Sequence, residues 1–332
     1  MNLLVSCIST KHSTLKKHWA DTGQQIACPL TVRGSLQKPN EDLGGLLCLV
    51  VDGAIERTLP LSMAAGMVPS DRGVLVTTAT SIHEVDPLLR ELRRDVISLP
   101  LFNALHSISR SAHGYLVAST GLDLIVEISR EGEVLWQWWA TDHGFTHTPT
   151  GVLRQLDKAR DHRQEKYGTL SQTTHVNAVA EHPSGAVLAS LFHQGMVIAI
   201  DREGGEWWPV LEGLDHPHSV RILDSEHFTV ADTVGGRALL ARLPDPQSKA
   251  TIEAVVEAGT DWLQDCSYDP RSQTWVLVDG KASRVVLRSG TTGGTELTAI
   301  QFDPEWRLYE ALPLQEVARE QEPSLSMASH QS

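Results

Sequence analysis

The sequence predicts an all-β protein, a six-bladed β-propeller of four-stranded antiparallel blades, and three observations carry that expectation. The first is an internal repeat. The stretches HSISRSAHGYLVAST from His106, NAVAEHPSGAVLASL from Asn177, HSVRILDSEHFTVADT from His218 and DCSYDPRSQTWVLVDG from Asp265 share one pattern. Each runs from a polar residue through a short apolar strand and a polar turn into a second apolar strand, ending around Ser or Asp. The second observation is an alternating run after each, at 124–128, 196–200, 238–241 and 284–287, often followed by a fourth strand, as at 133–138 and 206–211. The third is the period, roughly 40 residues, the length of a four-stranded propeller blade.

Taken in order, the first complete blade spans about 64–100, with strands at 74–78, 81–85 and 95–99. Others follow at 102–139, 174–212, 216–258 and 261–302. The segments 3–9, 46–52 and 54–61 read as the second, third and fourth strands of a blade lacking its first, and 306–312 is a spare strand. Joining the two ends completes the ring and hides both free edges. The propeller thus occupies 1–314, and the polar segment 315–332 is expected to be a disordered tail.

Two insertions do not fit the blades. Segment 10–44 is polar, with a helix expected around 15–20. Segment 141–173 holds His143, His147, His162 and a charged, helix-friendly stretch at 152–165. Connections this long commonly cover or build a site, so the second is expected to cap the axial mouth.

Composition narrows the partners. Lys and Arg number 28 against 41 Asp and Glu, a formal charge of −13, and no basic run stands out. Such a surface repels phosphate backbones and anionic lipid, so neither nucleic acid nor membrane is an expected partner. No apolar run is long enough for a membrane span. The four cysteines (Cys7, Cys28, Cys48 and Cys266) form no CxxC, and no export signal precedes them. Free thiols and a cytoplasmic location are expected. The phosphate-binding, dinucleotide-binding, nucleophile-elbow and HExxH motifs are all missing.

The first strand of each blade lines a propeller's channel. Aligned on their second strands, the repeats place His106, Asn177, His218 and Asp265 at one equivalent position, with Ala65 or Gly66 in the earlier blade. His175 and His216 each precede a member by two residues, on the same face of a regular strand. Three readings follow. His106, His175 and His218 could hold a divalent or transition metal, assisted by Asn177 or Asp265. The same imidazoles and Asp265 could act as catalytic acid and base. Or the channel could simply be polar and water-filled. Asn177, His193, His147 and Arg237 are the candidate substrate contacts; an Arg can also clamp an anion or brace a blade. The Trp cluster (Trp136, Trp138, Trp139, Trp207 and Trp208) ends fourth strands and is expected to pack between blades. Asp232 and Asp279 resemble turn-stabilising residues.

THVNAVAEHPSGAVLASLFHQGMVIAIDREGGEWW from Thr174, EGEVLWQWWATDH from Glu131 and HPHSVRILDSEHFTVADT from His216 resemble the blades of arylsulfotransferase-like propellers over about 102–233. The likeness shades into the NHL and gluconolactonase-like propellers, which bind an axial divalent metal. The first resemblance implies group transfer through a histidine among His106, His175 and His218. The expected function is an enzyme acting on a small molecule at a His-lined axial site, by metal-assisted hydrolysis, lyase or oxidative chemistry. The alternatives are transfer through His and a non-catalytic propeller binding a protein or ligand on its rim.

Overall fold

The computed structural model describes residues 1–23, 33–292 and 294–314. Six four-stranded antiparallel sheets stand around an axis. The first blade joins the two ends: inner strand Arg307–Pro313 pairs with Leu3–Ser9, followed by Leu46–Val51 and Ala54–Pro60. The spare C-terminal strand therefore completes the blade that lacked its first. Each later blade runs inner to outer in chain order, with inner strands Met67–Pro69, Leu105–Arg110, Val176–Glu181, His218–Ile222 and Leu263–Asp269. Neighbouring inner strands touch all the way round, including the first blade against the second, so the ring is closed.

Alternation along the strands explains the core. The second and third strands are buried on both faces and read as apolar runs such as Leu124–Ile128 and Met196–Ile200; outermost strands such as Ala54–Pro60 are exposed. A separate buried apolar cluster fills every gap between adjacent blades. Leu116, Ile125 and Trp138 of the third blade, for instance, pack on Val179, Val187 and Ala189 of the fourth. The tryptophans also bridge blades as expected: Trp136 and Trp138 donate indole N–H to the Arg202 and Gly205 carbonyls (3.1 and 3.0 Å).

Two local expectations need correction. The outer strand of the second blade starts at Leu92 rather than 95, because Asp95 holds a left-handed φ of 49° that kinks a longer strand. The charged stretch 152–165 forms no helix; it is irregular, with bonds such as Thr148 N–H to Val152 O and Arg160 N–H to Asp157 O. Its charges instead serve the cap. The buried Asp123 carboxylate accepts the backbone N–H groups of Thr173, Thr174 and His175 (2.8–2.9 Å) and pairs with Arg154 at 3.3 Å.

The first insertion does form a helix, His12–Gly23, whose start is held by Glu305: its carboxylate accepts Ser13 N–H and hydroxyl at 3.1 and 2.7 Å. Its later part crosses to the second insertion. Gly168 and Leu170 N–H donate to the Leu36 and Ser35 carbonyls at 3.1 and 2.9 Å. A β-carbon on Gly168 would stand 2.2 Å from the Ser35 oxygen, so only glycine lets the segments approach this closely. Both insertions build the cap. Cys7, Cys48 and Cys266 are free and buried. Cys28 and the expected tail lie outside the described residues.

Candidate functional site at the axial mouth

Each inner strand except the second blade's carries a β-bulge near its entrance, and the ladder register there defines the mouth. Ile108, Val179, Val220 and Cys266 pair with equivalent residues of their second strands. Counting back two residues gives His106, Asn177, His218 and Gln264. Asp265, expected in this ring, lies one residue deeper. The last hairpin is one residue pair longer than the His106 hairpin (Asp265–Asp269 are all paired, against 107–110), which displaces the alignment. Tyr309 and Gly66 complete the ring by the same register.

All of these but Gly66 line a cavity of about 260 Å³ that continues past Ser219, Asp265 and Glu310 toward Arg110 and Glu181. Above the ring, His175 meets His106 edge-on at 5.0 Å between ring centres and lies 5.9 Å from His193. Phe192 stands between His175 (4.9 Å) and His218 (5.3 Å). The propeller gathers His106 and His218 at one ring, where the repeat aligns them, and brings His175 against His106. His175 and His216 do not sit on the strand face, because left-handed φ values of 49° and 58° turn the chain just before it. Such backbone costs on the order of 1 kcal/mol for a non-glycine residue and clusters where a side chain must be aimed.

The three imidazoles are oriented alike. His106 Nδ1 donates to the Ala104 carbonyl at 2.7 Å, His175 Nδ1 donates to Gln172 Oε1, and His218 Nδ1 donates to the His216 carbonyl at 3.3 Å, with Thr233 Oγ1 2.8 Å away. A carbonyl only accepts, so Nδ1 carries the hydrogen and Nε2 keeps its lone pair. Burial, reinforced by the neighbouring Lys38 ammonium, holds His106 down to about 4. Burial and the adjoining imidazoles hold His175 and His218 well below the ordinary range. All three are neutral near pH 7. Tyr309, 5.7 Å from His106, is pushed well above its ordinary value by burial and by Glu310 below it, so its hydroxyl stays a donor. Asn177 is only 2 % exposed; its amide N–H donates to Pro217 O at 3.1 Å while Oδ1 has no partner among the described residues.

The remaining candidates divide. His193 belongs to the mouth, its Nε2 bonded to Thr169 O at 2.9 Å. His147 is exposed beside Thr146 and Arg237 is tied to Asp232; neither lines the cavity. Asp265 is braced by Ser219 (2.6 Å), Arg221 (3.0 Å) and the Ala311 N–H (3.1 Å). Among the described residues no three His, Cys, Asp or Glu side chains are placed to hold a metal. The free Nε2 atoms are suitable donors by type, and their engaged Nδ1 atoms match how metal-ligating histidines are usually held, but they do not converge on one point.

No family model matches the chain, and no curated protein matches it. Solved structures do. The chain is similar to a structure of a nidogen/laminin complex (12 % identity, 94 % of this chain and 97 % of that one, TM-score 0.57). It is also similar to a protein of unknown function from Bacteroides caccae (14 %, 80 % and 93 %, 0.55). A third is a periplasmic gluconolactonase from Pseudomonas aeruginosa (11 %, 84 % and 84 %, 0.50). These likenesses agree with the six-bladed β-propeller that the sheets form. At such identities the likeness extends to the fold and not to the chemistry.

Sequence reasoning missed Gln264, Tyr309 and Lys38. Tyr309 sits in the closing strand, outside the repeat, and was recoverable by aligning 306–312 with the other inner strands. Lys38 comes from an insertion with no register to read.

Proposed function

We propose that this propeller is an enzyme acting on a small molecule at the capped mouth, with His106 Nε2 as base or nucleophile. One observation carries the reading: neutral His106 and His218 line one cavity, with neutral His175 against His106, each held by a bond at Nδ1 and with Nε2 unbonded among the described residues. His106 is chosen because it lines the cavity and is half-buried, whereas His175 stands above it. His218 lines the same cavity across the ring, and the Tyr309 hydroxyl donates to developing negative charge. A depressed imidazole is unprotonated at neutral pH, which suits attack more than acid catalysis. Covalent transfer through His106 is also what the sequence resemblance implies. A transition metal on the same Nε2 atoms is the second reading, favoured by their Nδ1 bonds; no step here is routed through it.

Lactones, esters and aryl sulfates should be screened with the unaltered chain and with His106→Ala and His218→Ala. Turnover should fall by about 10²–10⁴-fold in His106→Ala, the range for losing a catalytic imidazole. Elemental analysis decides the metal: a near-stoichiometric ion lost with His106 and His218 supports it. Activities unchanged in both variants would leave only a rim-binding module.

A further inference from the structure

In the mouth ring, hydrogen bonds made outside the cavity decide which atoms are left for it. Asn177 gives its amide N–H to the Pro217 carbonyl at 3.1 Å. A carbonyl only accepts, so the amide orientation is fixed and Oδ1 is the atom left over. Gln264 is the reverse. Its Oε1 accepts the Trp262 indole N–H at 2.9 Å, and an indole only donates, so the amide N–H groups are left over. His106 and His218 spend their ring hydrogens on the Ala104 and His216 carbonyls, at 2.7 and 3.3 Å, and keep Nε2 as an acceptor. Tyr309, held as a phenol by burial, keeps its hydroxyl hydrogen. No partner for these five leftover groups exists among the described residues.

The blades follow one another around the axis in chain order, so acceptors and donors fall on opposite arcs. His106, Asn177 and His218 come from the third, fourth and fifth blades, Gln264 and Tyr309 from the sixth and first. Asn177 therefore stands across the ring from Tyr309, and all five residues line the same cavity. A buried donor or acceptor without a partner is unfavourable, and a ligand supplying the complement removes that cost. An ester or ketone leaves the acceptor arc unmet, and an amine leaves the donor arc unmet. A trans secondary amide meets both with one rigid group, because its C=O and N–H point in opposite directions. We infer that the axial mouth binds a secondary amide, an N-acyl or peptide-like group, its carbonyl toward Tyr309 and Gln264 and its N–H toward Asn177 and the imidazoles. The inference deepens the catalytic reading by naming a substrate class and rests on it only for the ligand being a substrate.

The test titrates three small probes into the full chain at pH 7 and follows the His106 and His218 ring-proton resonances. N-methylacetamide carries both groups, N,N-dimethylacetamide the carbonyl alone and methylammonium the N–H donors alone. N-methylacetamide should bind at one saturable site, at least tenfold tighter than either of the others, because unmet buried groups reject an analogue that lacks their partner. Tyr309→Phe removes one hydroxyl and should weaken both amides several-fold. Asn177→Ala should weaken N-methylacetamide and leave N,N-dimethylacetamide as it was. Equal affinity for the two amides, a preference for methylammonium, or N-methylacetamide binding unchanged in either variant would overturn the inference. Selective amide binding with turnover unaffected by His106→Ala defeats the catalytic reading alone; turnover lost in His106→Ala with no amide selectivity defeats this one alone.

Discussion

The mouth ring and the ring one residue deeper differ in how their polar atoms are used. In the deeper ring, polar groups stitch one blade to the next. Val179 N–H bonds to Ser107 Oγ (3.1 Å), Ser219 Oγ and the Ala311 N–H to Asp265, and Met67 N–H to Glu310 Oε1 (3.1 Å). Arg221 joins Asp265 and Glu310 at 3.0 and 3.2 Å. In the mouth ring, among the described residues, His106 and His218 bond only within their own blades and leave Nε2 free, and Asn177, whose N–H reaches Pro217 O of the next blade, leaves Oδ1 unpaired. The bland account of a polar channel, groups satisfying one another, describes the deeper ring well. It does not describe the mouth.

The strongest way to break this contrast is Asp265→Ala. It strands the Ala311 N–H and half of the Arg221 guanidinium in a buried place, so a loss of about 3–5 kcal/mol is expected, the range for breaking a buried pair. His106→Ala should cost less, about 1–2 kcal/mol, because it strands one neutral acceptor, the Ala104 carbonyl, and no charge. Urea unfolding of both variants measures the difference; equal losses would erase the distinction between the rings.

Gly66 sharpens it next. A β-carbon there would stand 2.6 Å from Ser107 Cα and 2.9 Å from His106 O, both backbone atoms that cannot swing aside. Gly66→Ala should therefore push the inner strands of the second and third blades apart, costing about 1–3 kcal/mol. It should also misplace His106 enough to lower turnover more than tenfold. A variant of unaltered turnover would mean that His106 tolerates displacement, which a nucleophile at this position does not.

How far the sequence reached follows the same division. Blade order, the closing strand and the meeting of His106 and His218 were legible because the repeat carries them: a polar residue before an alternating strand recurs at a fixed place in a radial fold. His175 is read from strand period, and a left-handed turn places it instead. The identity of the fourth ring member was not, since a hairpin one pair longer moves Gln264 into the place assigned to Asp265. Nor were Nδ1 bonding and charge at the mouth, which depend on Gln172, Thr233 and Lys38, contributed by connections and insertions that share no period with the blades.

Acidity tests the two rings in opposite directions. The mouth imidazoles are held below their unfolded value near 6.5, so unfolding takes up protons as pH falls. Their stabilisation is present above about pH 6.5 and is lost on the way down to about 4. Glu310 is the reverse: burial, opposed by Arg221, lifts it to about 7, so its stabilisation is full below its unfolded value and fades as pH rises through 7. Stability should thus drop by roughly 1–3 kcal/mol from pH 6.5 to 4, with a shallower slope in His106→Gln. An acid limb identical in that variant would remove His106 from the set.

The smallest effect is expected at Arg237, which the repeat singled out as a substrate clamp. Its guanidinium pairs with Asp232, whose other oxygen accepts the Asp215 N–H at 2.6 Å, and the arginine side chain is 40 % exposed. Arg284 repeats the arrangement with Asp279 in the next blade, where the same carboxylate also accepts the Lys281 and Ala282 N–H groups. A pair recurring at equivalent places, each next to a tight turn, is the mark of blade construction. Arg237→Gln should cost no more than about 1 kcal/mol and leave KM unchanged. A KM raised tenfold, with stability intact, would extend the ligand beyond the imidazoles to the third strand of the fifth blade.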